Sequence, residues 1–281
     1  MIYKMQQTQH IEKIRKYYFN SRFGYRYLLW GSQHFGFYPK NKNIPEKEAQ
    51  ALMQDLIGEK LNLLNSMVVL DAGCGRGIVA AYLANKFGCD IEAIDITPML
   101  VDEARIKARN LNIKNVNFSL MDYSHMDFDN NYFDAIYTME TLCHSSDISK
   151  TLEEFYRVLK KGGKIAFFEY TIAEDNKFSA HEMDMLKKVI KGTATEGLFK
   201  FRHGKFQNLL KEVNFRNVEV SNITENVLPS LNRLRKYLLM PYIFVKMSNS
   251  HEKNPNPTIA VEWHKLMEKG LWRYNIFTAT K

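Results

Sequence analysis

Short apolar runs alternate with longer amphipathic segments along the middle of the chain. The runs predict five β-strands, at residues 68–70, 91–94, 115–120, 134–138 and 164–169. The segments between them predict helices with one apolar face each, at residues 78–87, 98–111 and 147–159. Because strands that alternate with such helices form parallel sheets, the pattern predicts an α/β fold with a doubly wound sheet.

Outside this region the pattern is mostly helical. Residues 8–18 carry apolar side chains on one helix face, and further helices are predicted at residues 45–64, 180–190 and 205–213. Residues 215–221 and 271–278 predict two more strands, and residues 228–267 between them predict an inserted helical cap. With 281 residues, 45% of them apolar, the chain can bury one substantial core, so we expect a single domain with additions.

A glycine-rich turn follows the first predicted strand, at Gly73, Gly75 and Gly77. Glycines there permit positive φ and let a ligand approach the backbone. A dinucleotide fingerprint would have a further glycine where Ile78 stands, and the carboxylate of Asp71 would repel a pyrophosphate but favour an ammonium group. Asp95, about 20 residues after the turn, ends the second strand and can accept both hydroxyls of a ribose. A ribose that carries an amino acid indicates S-adenosylmethionine as the cofactor.

Five motifs in this region, in order, resemble those of the class I S-adenosylmethionine-dependent methyltransferases. The matching stretches are 70–77, Asp95, 121–123, 133–139 and 159–165. The resemblance implies a Rossmann-like, doubly wound sheet of seven strands whose last strand is antiparallel. It also implies a cofactor site made of Asp71, Gly73, Gly75, Gly77, Asp95, Ile96, Asp122, Tyr123 and Glu140. The alternative is a doubly wound domain in which Asp71 and Asp95 only cap helices.

The amino-terminal segment is rich in aromatic residues. Residues 17–18, 30–31 and 34–36 resemble the opening of the sterol C-methyltransferase group, whose relatives include cyclopropane fatty acid synthases and methyltransferases of prenyl diphosphates and small amines. An acid often follows the tyrosine pair in that group, whereas this chain has Phe19 and Asn20. The resemblance implies a helical lid at residues 1–45, a cofactor-binding core at 46–170 and a substrate-side half at 171–281. The side chains predicted to bind substrate are Tyr25, Trp30, His34 and Tyr170.

Reactive groups are expected after the fourth strand, because ligands bind at the carboxyl ends of strands in such sheets. Residues 139–146 contain Glu140 and His144 and resemble the Glu-x-x-Cys-His segment of sterol methyltransferases, and Glu169 lies in an aromatic-Glu-aromatic segment that resembles another. We predict that Glu140 stabilises a carbocation and removes a proton, with His144, Glu169 and Tyr18 as further catalytic candidates. The structural alternatives are a hydrogen bond from the lid to Glu140, a loop-orienting role for His144 and a structural contact for Glu169.

These features predict methyl transfer to a small molecule. The leading hypothesis is C-methylation of an isoprenoid, a prenyl diphosphate or a sterol-like alkene. One alternative is N- or O-methylation of a small amine or phenol, in which Tyr18, His34 or His144 would position the acceptor. An alternative of another class is a non-catalytic subunit that binds the cofactor. No carboxylate cluster suits Mg²⁺, so no metal is expected, and nucleic-acid methylation is disfavoured because the fourth strand lacks an Asn/Asp-Pro-Pro-aromatic signature.

The chain is basic, with a formal net charge of +8. Such a charge is typical of proteins that bind acidic substrates, anionic lipid or nucleic acid, or it reflects a lysine-rich solvated surface. In the cap, an apolar helix face beside basic residues predicts peripheral membrane contact, a pocket lining or an ordinary amphipathic helix. The apolar members are Leu231, Leu234, Leu238, Tyr242 and Val245, and the basic ones are Arg233, Arg235, Lys236 and Lys246. Homo-oligomer formation stays open.

Cysteine usage and hydropathy bear on the compartment. Three cysteines, an odd number without metal-like spacing, indicate a reducing compartment without disulfides or structural zinc. No apolar run approaches the roughly 20 residues that span a bilayer, and residues 1–15 have no signal-peptide core. We therefore expect a cytoplasmic protein.

Overall fold

The computed structural model describes residues 2–28, 32–40 and 42–281. Seven strands form one sheet: β1 Val68–Ala72, β2 Asp90–Asp95, β3 Val116–Leu120, β4 Phe133–Met139, β5 Leu159–Ile172, β6 Arg216–Asn222 and β7 Trp272–Thr280. Their order across the sheet is β3-β2-β1-β4-β5-β7-β6. β1 pairs in parallel with β2 and β4, whereas β7 is antiparallel to both of its neighbours. The predicted seven-stranded, doubly wound sheet with an antiparallel last strand is confirmed.

Helices cover both faces of the sheet centre. Consecutive residues of β4 and β5 are therefore buried, although their side chains point to opposite faces. The helices are α1 Ile2–Leu28, α2 Glu46–Leu61, α3 Ile78–Phe87, α4 Pro98–Asn110, α5 Ile148–Val158, α6 Ala180–Thr193, α7 Phe206–Glu212, α8 Thr224–Met247, α9 Pro255–Thr258 and α10 His264–Glu268. A π-helical turn at Ile259–Trp263 joins α9 to α10, so α8 to α10 form the predicted cap.

The sheet order reverses between β1 and β4. From β1 the chain builds outward through β2 to β3, then returns to the other side of β1 as β4. Ligands bind in the crevice that such a reversal leaves at the carboxyl ends of the strands. The glycine turn follows β1, Asp95 ends β2, and Glu140 follows β4. Three of the predicted site elements therefore meet at this edge.

Two predicted boundaries are wrong. The first helix does not end at residue 18 but runs to Leu28. Tyr18 and Tyr25, two turns apart on one face of this helix, stack with their ring centroids 6.0 Å apart, and this contact supports the longer helix. The turn predicted at residues 162–163 lies inside β5. There the N–H of Gly162 donates to the carbonyl of Lys281 at 2.9 Å, and the N–H of Lys281 donates to Gly163 at 3.0 Å. Pairing with the end of the chain thus extends the strand through the glycines.

The predicted lid comprises two different parts. The segment at residues 32–40 is joined to the body of the domain: the N–H of Phe37 donates to the carbonyl of Ala49 in α2 at 2.8 Å, and that of Tyr38 to Asn226 in α8 at 2.9 Å. Phe35 belongs to the main hydrophobic core, whereas among the described side chains of α1 Tyr25 packs against its margin and the buried Ile14 and Tyr17 lie outside it. Of the two parts, the segment at 32–40 is therefore the one joined to the core around the sheet.

Within the described ranges, no helix has the length and apolar character needed to cross a membrane. The same residues contain no group of three His, Cys, Asp or Glu side chains arranged as metal ligands. All three cysteines are free and buried.

Candidate active site

The glycine turn lines a first cavity of about 70 Å³, here called the glycine-turn cavity. Gly73 and Gly75 have φ values of 91° and 53°, in the left-handed region that favours glycine. A Cβ on Gly75 would lie 2.0 Å from Oε1 of Gln33, and a Cβ on Gly73 would lie 2.3 Å from Oγ1 of Thr141. The turn therefore has no room for side chains, and its backbone is open to the cavity.

Three aspartates among the described residues border this turn or the cavities that it lines. Oδ2 of Asp95 accepts the N–H of Gly75 at 2.9 Å, and Oδ1 accepts that of Thr97 at 2.8 Å. Burial raises the pKa of Asp95 above its ordinary value, and the two backbone donors offset only part of that rise. Asp122 lines the same cavity. Asp71 lines a smaller cavity that Gly73 also borders, and burial raises the pKa of Asp71 to about 7.

A second cavity, of about 150 Å³, adjoins the first and is here called the apolar cavity. Its lining is mainly aromatic and aliphatic and comes from α1, the segment at 32–40, the loop after β4, β5, α8 and the π-helical turn, among other elements. The apolar and aromatic members include Phe35, Tyr170, Leu234, Leu238, Ile259 and Trp263. Phe35, Tyr170 and Trp263 form a ring cluster, with centroid separations of 6.5 Å and 5.2 Å. Such a lining suits an apolar ligand.

Four of the described side chains line both cavities: Tyr18, Gln33, Glu140 and His144. They are here called the junction residues. They come from α1, the segment at 32–40 and the loop after β4, which are far apart in the sequence. A group that passes from one cavity to the other must pass these side chains.

Glu140 is the junction residue with the most unusual environment. Its φ of 56° is rare for a residue with a side chain, and such strained backbone is found mainly at functional sites. Oε1 accepts the N–H of Phe35 at 3.0 Å and the hydroxyl of Tyr274 at 2.9 Å, and Oε2 accepts the hydroxyl of Tyr170. Burial raises the pKa of Glu140 to about 7, although these three donors lower it. Glu140 is thus a fixed carboxylate that changes charge near neutral pH.

Comparisons with known proteins agree with this geometry. Residues 70–167 match the family model described as a methyltransferase domain. The S-adenosyl-L-methionine-dependent Diels-Alderase iccD of Talaromyces variabilis is 32% identical over 83% of this chain and 83% of its own length. The chain belongs to the class I S-adenosylmethionine-dependent methyltransferases. This membership confirms the resemblance found in the motifs.

Two further likenesses concern C-methylating and related enzymes. The sterol 24-C-methyltransferase of Candida albicans is 27% identical to this methyltransferase. The aligned stretch covers 58% of the present chain and 43% of the sterol enzyme. A cyclopropane synthase from Mycobacterium tuberculosis superposes with a TM-score of 0.82 at 16% identity, over 97% of this chain and 98% of the other. The likeness to the cyclopropane synthase, at 16% identity, shows the fold alone.

The site residues fit S-adenosylmethionine, the cofactor of the methyltransferase family. Oδ2 of Asp71 is buried and has no hydrogen-bond partner among the described residues, which suits the ammonium of the amino-acid end. Each oxygen of Asp95 keeps a lone pair that can accept a ribose hydroxyl. Ile96, Asp122 and Tyr123, which the resemblance also assigns to the cofactor site, line the glycine-turn cavity together with Asp95. The predicted cofactor residues therefore line the glycine-turn cavity, except Asp71, which lines the smaller cavity beside Gly73, and Gly77, which lines neither of these two.

Helix α1 covers the glycine-turn cavity. Nε2 of Gln7 donates to Oδ2 of Asp122 at 3.0 Å, Nε of Arg15 donates to the carbonyl of Ile96 at 3.0 Å, and Nε2 of His10 donates to the carbonyl of His144 at 2.7 Å. Gln7 thus occupies an oxygen of Asp122, one of the residues that the resemblance assigns to the cofactor site. We expect α1 to shift when the cofactor binds.

Deleting residues 1–28 is expected to abolish methyl transfer while the rest of the methyltransferase stays folded. The deletion removes Tyr18 and exposes the glycine-turn cavity to water. It also removes the buried Ile14 and Tyr17, but neither belongs to the main hydrophobic core around the sheet. Circular dichroism and cooperative thermal unfolding test folding, and S-adenosylhomocysteine release tests turnover. Turnover at the full-length rate would show that α1 is not a lid.

Tyr18 and His144 form a hydrogen-bonded pair at the junction. Nδ1 of His144 lies 3.0 Å from the carbonyl of Ala194, which can only accept, so Nδ1 carries the proton. Nε2 is therefore the acceptor and receives the hydroxyl of Tyr18 at 3.0 Å. Burial lowers the pKa of His144 to about 4, so the ring is neutral at pH 7. The pair suits both the predicted catalytic role and the loop-orienting alternative.

Glu169 lies outside both cavities. Its Oε1 accepts the N–H groups of Thr141 and Leu142 at 2.8 Å and 2.6 Å, so it fixes the loop that carries Glu140. Burial raises the pKa of Glu169 to about 8, although the two backbone donors lower it. The geometry favours the structural alternative for this residue over direct chemistry.

Those of the predicted substrate residues that the structure describes all line the apolar cavity. Tyr25, His34 and Tyr170 line the apolar cavity, whereas Trp30 lies outside the described residues. His34 is held on both sides, because Nδ1 donates to the carbonyl of Phe35 at 2.8 Å and Nε2 lies 3.1 Å from Nε2 of Gln54. These contacts favour a positioning role for His34.

Sequence reasoning missed several lining residues of the apolar cavity, among them Gln33, Ile259 and Trp263. Leu234 and Leu238 were recognised as one helix face, with a pocket lining as one interpretation. Trp263 is a large aromatic residue that lies in a π-helical turn, a feature frequent at functional sites. Periodicity analysis does not reveal such a turn, so no clear sequence signal pointed to Trp263.

Proposed function

We propose that this methyltransferase methylates an alkene carbon of an apolar acceptor, an isoprenoid or a sterol-like molecule. The observation that carries the proposal is Glu140, a partly buried carboxylate at the junction between the glycine-turn cavity and an aromatic-lined apolar cavity. The sequence likeness to sterol 24-C-methyltransferases supports the same chemistry. No Lys or Arg is found among the described lining residues of the apolar cavity, which favours an acceptor without a diphosphate.

The residues of the chain would act on the positive charge that forms on the acceptor. The bound cofactor supplies an electrophilic methyl group. Glu140 would stabilise the carbocation by its charge, and the aromatic rings of Tyr170 and Trp263 would contribute through their electron-rich faces. Neither group has to reorganise, because hydrogen bonds and ring packing already hold them in place.

A proton must leave the methylated acceptor to restore a double bond. Glu140, with a pKa of about 7, is partly ionised at neutral pH and can receive that proton on a carboxylate oxygen. The Tyr18 hydroxyl and Nε2 of His144 form a second route, since the neutral ring is hydrogen-bonded to the phenol. The apolar lining would keep water from the carbocation before the proton is lost.

A second candidate function is a [4+2] cycloaddition. The relative that shares 32% identity over 83% of the chain is named a Diels-Alderase that depends on the same cofactor. The apolar cavity would hold a folded polyene, and the hydrogen-bond donors and acceptors at the junction would polarise it. In that case the cofactor would complete the site without giving up its methyl group.

Product analysis separates the two functions. The protein is incubated with S-adenosylmethionine and panels of isoprenoid alcohols and sterols, prenyl diphosphates, small amines and phenols, and linear polyenes. We expect S-adenosylhomocysteine to form with the alkenes of the first panel, together with products heavier by one methylene unit. Methylation confined to amines, phenols or diphosphates would contradict the proposal. Cyclised products of unchanged mass, without S-adenosylhomocysteine, would establish the cycloaddition instead.

A further inference from the structure

Helix α8 has one face in the protein interior and an opposite face that is apolar and exposed. Leu231, Leu234, Tyr242 and Val245 are buried. The opposite side exposes six large apolar residues, here called the α8 outer face: Tyr237, Leu239, Met240, Ile243, Phe244 and Met247. Four of them recur at intervals of three and four residues, with exposed fractions of 55% for Tyr237, 62% for Met240, 65% for Phe244 and 79% for Met247. Apolar residues clustered in this way mark an interaction site.

Positive charge flanks the α8 outer face. Arg235, Lys236 and Lys246 are exposed, and none of the ion pairs among the described residues involves them. In contrast, Arg233 is paired with the buried Glu46, so its charge is neutralised within the protein. The chain has no Asp or Glu between Glu225 and Glu252. The face therefore combines an apolar stripe with uncompensated positive charge.

We propose that the α8 outer face binds an anionic lipid surface. Its apolar residues would enter the boundary between headgroups and acyl chains, while the three cations would remain at the headgroup level. A second copy of this chain is the other candidate occupant, but a two-fold contact would bring the three cations of each copy against those of its partner. With no carboxylate on the face to offset them, charge complementarity favours lipid.

The α8 outer face lies on the opposite side of the helix from residues that line the apolar cavity. Leu234 and Leu238, on the inner side of the same helix, line the apolar cavity. A membrane bound at α8 would therefore lie one helix diameter from the cavity, where an apolar acceptor could enter without crossing water. This consequence rests on the proposed function, whereas binding to lipid does not.

Vesicle co-sedimentation tests the proposal on the full-length protein. We expect binding to vesicles that contain phosphatidylglycerol, little binding to phosphatidylcholine alone, and a decline as salt rises because headgroup attraction is screened. Met240→Ser with Phe244→Ser should lower the partition coefficient about tenfold or more. Lys236→Gln with Lys246→Gln should lower it by a similar factor, without removing apolar surface.

A matched control removes one exposed leucine and one lysine elsewhere. Leu111 is 59% exposed at the end of α4, and Lys114 is exposed nearby. Leu111→Ser with Lys114→Gln should bind vesicles like the unaltered protein. Binding of S-adenosylhomocysteine should be unchanged in all three variants, which separates loss of lipid binding from loss of the cofactor site.

Three outcomes would overturn the proposal. One is no binding to anionic vesicles by the unaltered protein. Another is equal vesicle binding by the Met240→Ser, Phe244→Ser variant and the unaltered protein. The third is a dimer in ultracentrifugation that these two substitutions convert to a monomer, with no vesicle binding, which would assign the α8 outer face to a second copy.

Discussion

Glu140→Gln is expected to slow a single turnover by about 10²–10³-fold while acceptor binding changes by less than about twofold. The charge of the carboxylate acts on a carbocation that exists only after methyl transfer begins, so its loss affects the transition state and not the bound substrate. Glutamine keeps the shape of the side chain and an oxygen that can accept the N–H of Phe35. The fold at the junction should therefore be preserved.

The pH dependence gives a second measurement on the same variant. Because burial raises the pKa of Glu140 to about 7, the fraction of the ionised, active form increases as pH rises through 7. The single-turnover rate of the unaltered protein should increase over that interval and level off above it. In Glu140→Gln this rise should disappear, since an amide does not titrate.

Glu169→Gln is the matched control, since Glu169 is a buried glutamate on the neighbouring strand that lines neither cavity. Its amide oxygen can still accept the N–H groups of Thr141 and Leu142, so turnover should remain close to that of the unaltered protein. If Glu140→Gln instead weakens acceptor binding, the carboxylate holds a cationic substrate and an amine acceptor is indicated. Full activity of Glu140→Gln on every acceptor would leave Glu140 a structural residue.

Asp95→Asn is expected to weaken binding of S-adenosylmethionine and S-adenosylhomocysteine by about 1–3 kcal/mol, or roughly 5- to 150-fold. The carboxylate can accept two ribose hydroxyls in addition to the N–H groups of Gly75 and Thr97, whereas an amide offers only one oxygen for all of these donors. Isothermal titration calorimetry with S-adenosylhomocysteine measures the loss without turnover.

The control for this prediction is Asp90→Asn. Asp90 begins the same strand, β2, and is exposed, so its substitution changes charge by the same amount outside the site. Its affinity for the cofactor product should equal that of the unaltered protein. Unchanged affinity in Asp95→Asn would remove Asp95 from the ribose site and leave it as a residue that fixes the glycine turn.

The sequence by itself determined the cofactor half of this protein. The strand, the glycine turn and the following helix are consecutive in the chain, so local preferences specify them, and α3 was predicted with its observed bounds, Ile78–Phe87. Asp95 could be placed because parallel pairing of β1 and β2 fixes the distance from the turn to the end of the next strand. The order of strands and helices was sufficient for the sheet, because few arrangements of that order are physically accessible.

Only the tertiary structure decided how the acceptor half is built. Glu140 and Glu169 look alike in sequence, each an acid among apolar and aromatic neighbours, yet Glu140 lines both cavities and Glu169 holds a loop. Which of two such acids reaches a cavity depends on packing between distant elements. Trp263 and Leu234 line the same cavity as Phe35, although more than half the chain separates them from it, because the cap folds back over the sheet. Periodicity reports which face of a helix is apolar, but not what that face packs against, because burial is a property of the pair of surfaces and not of either one alone.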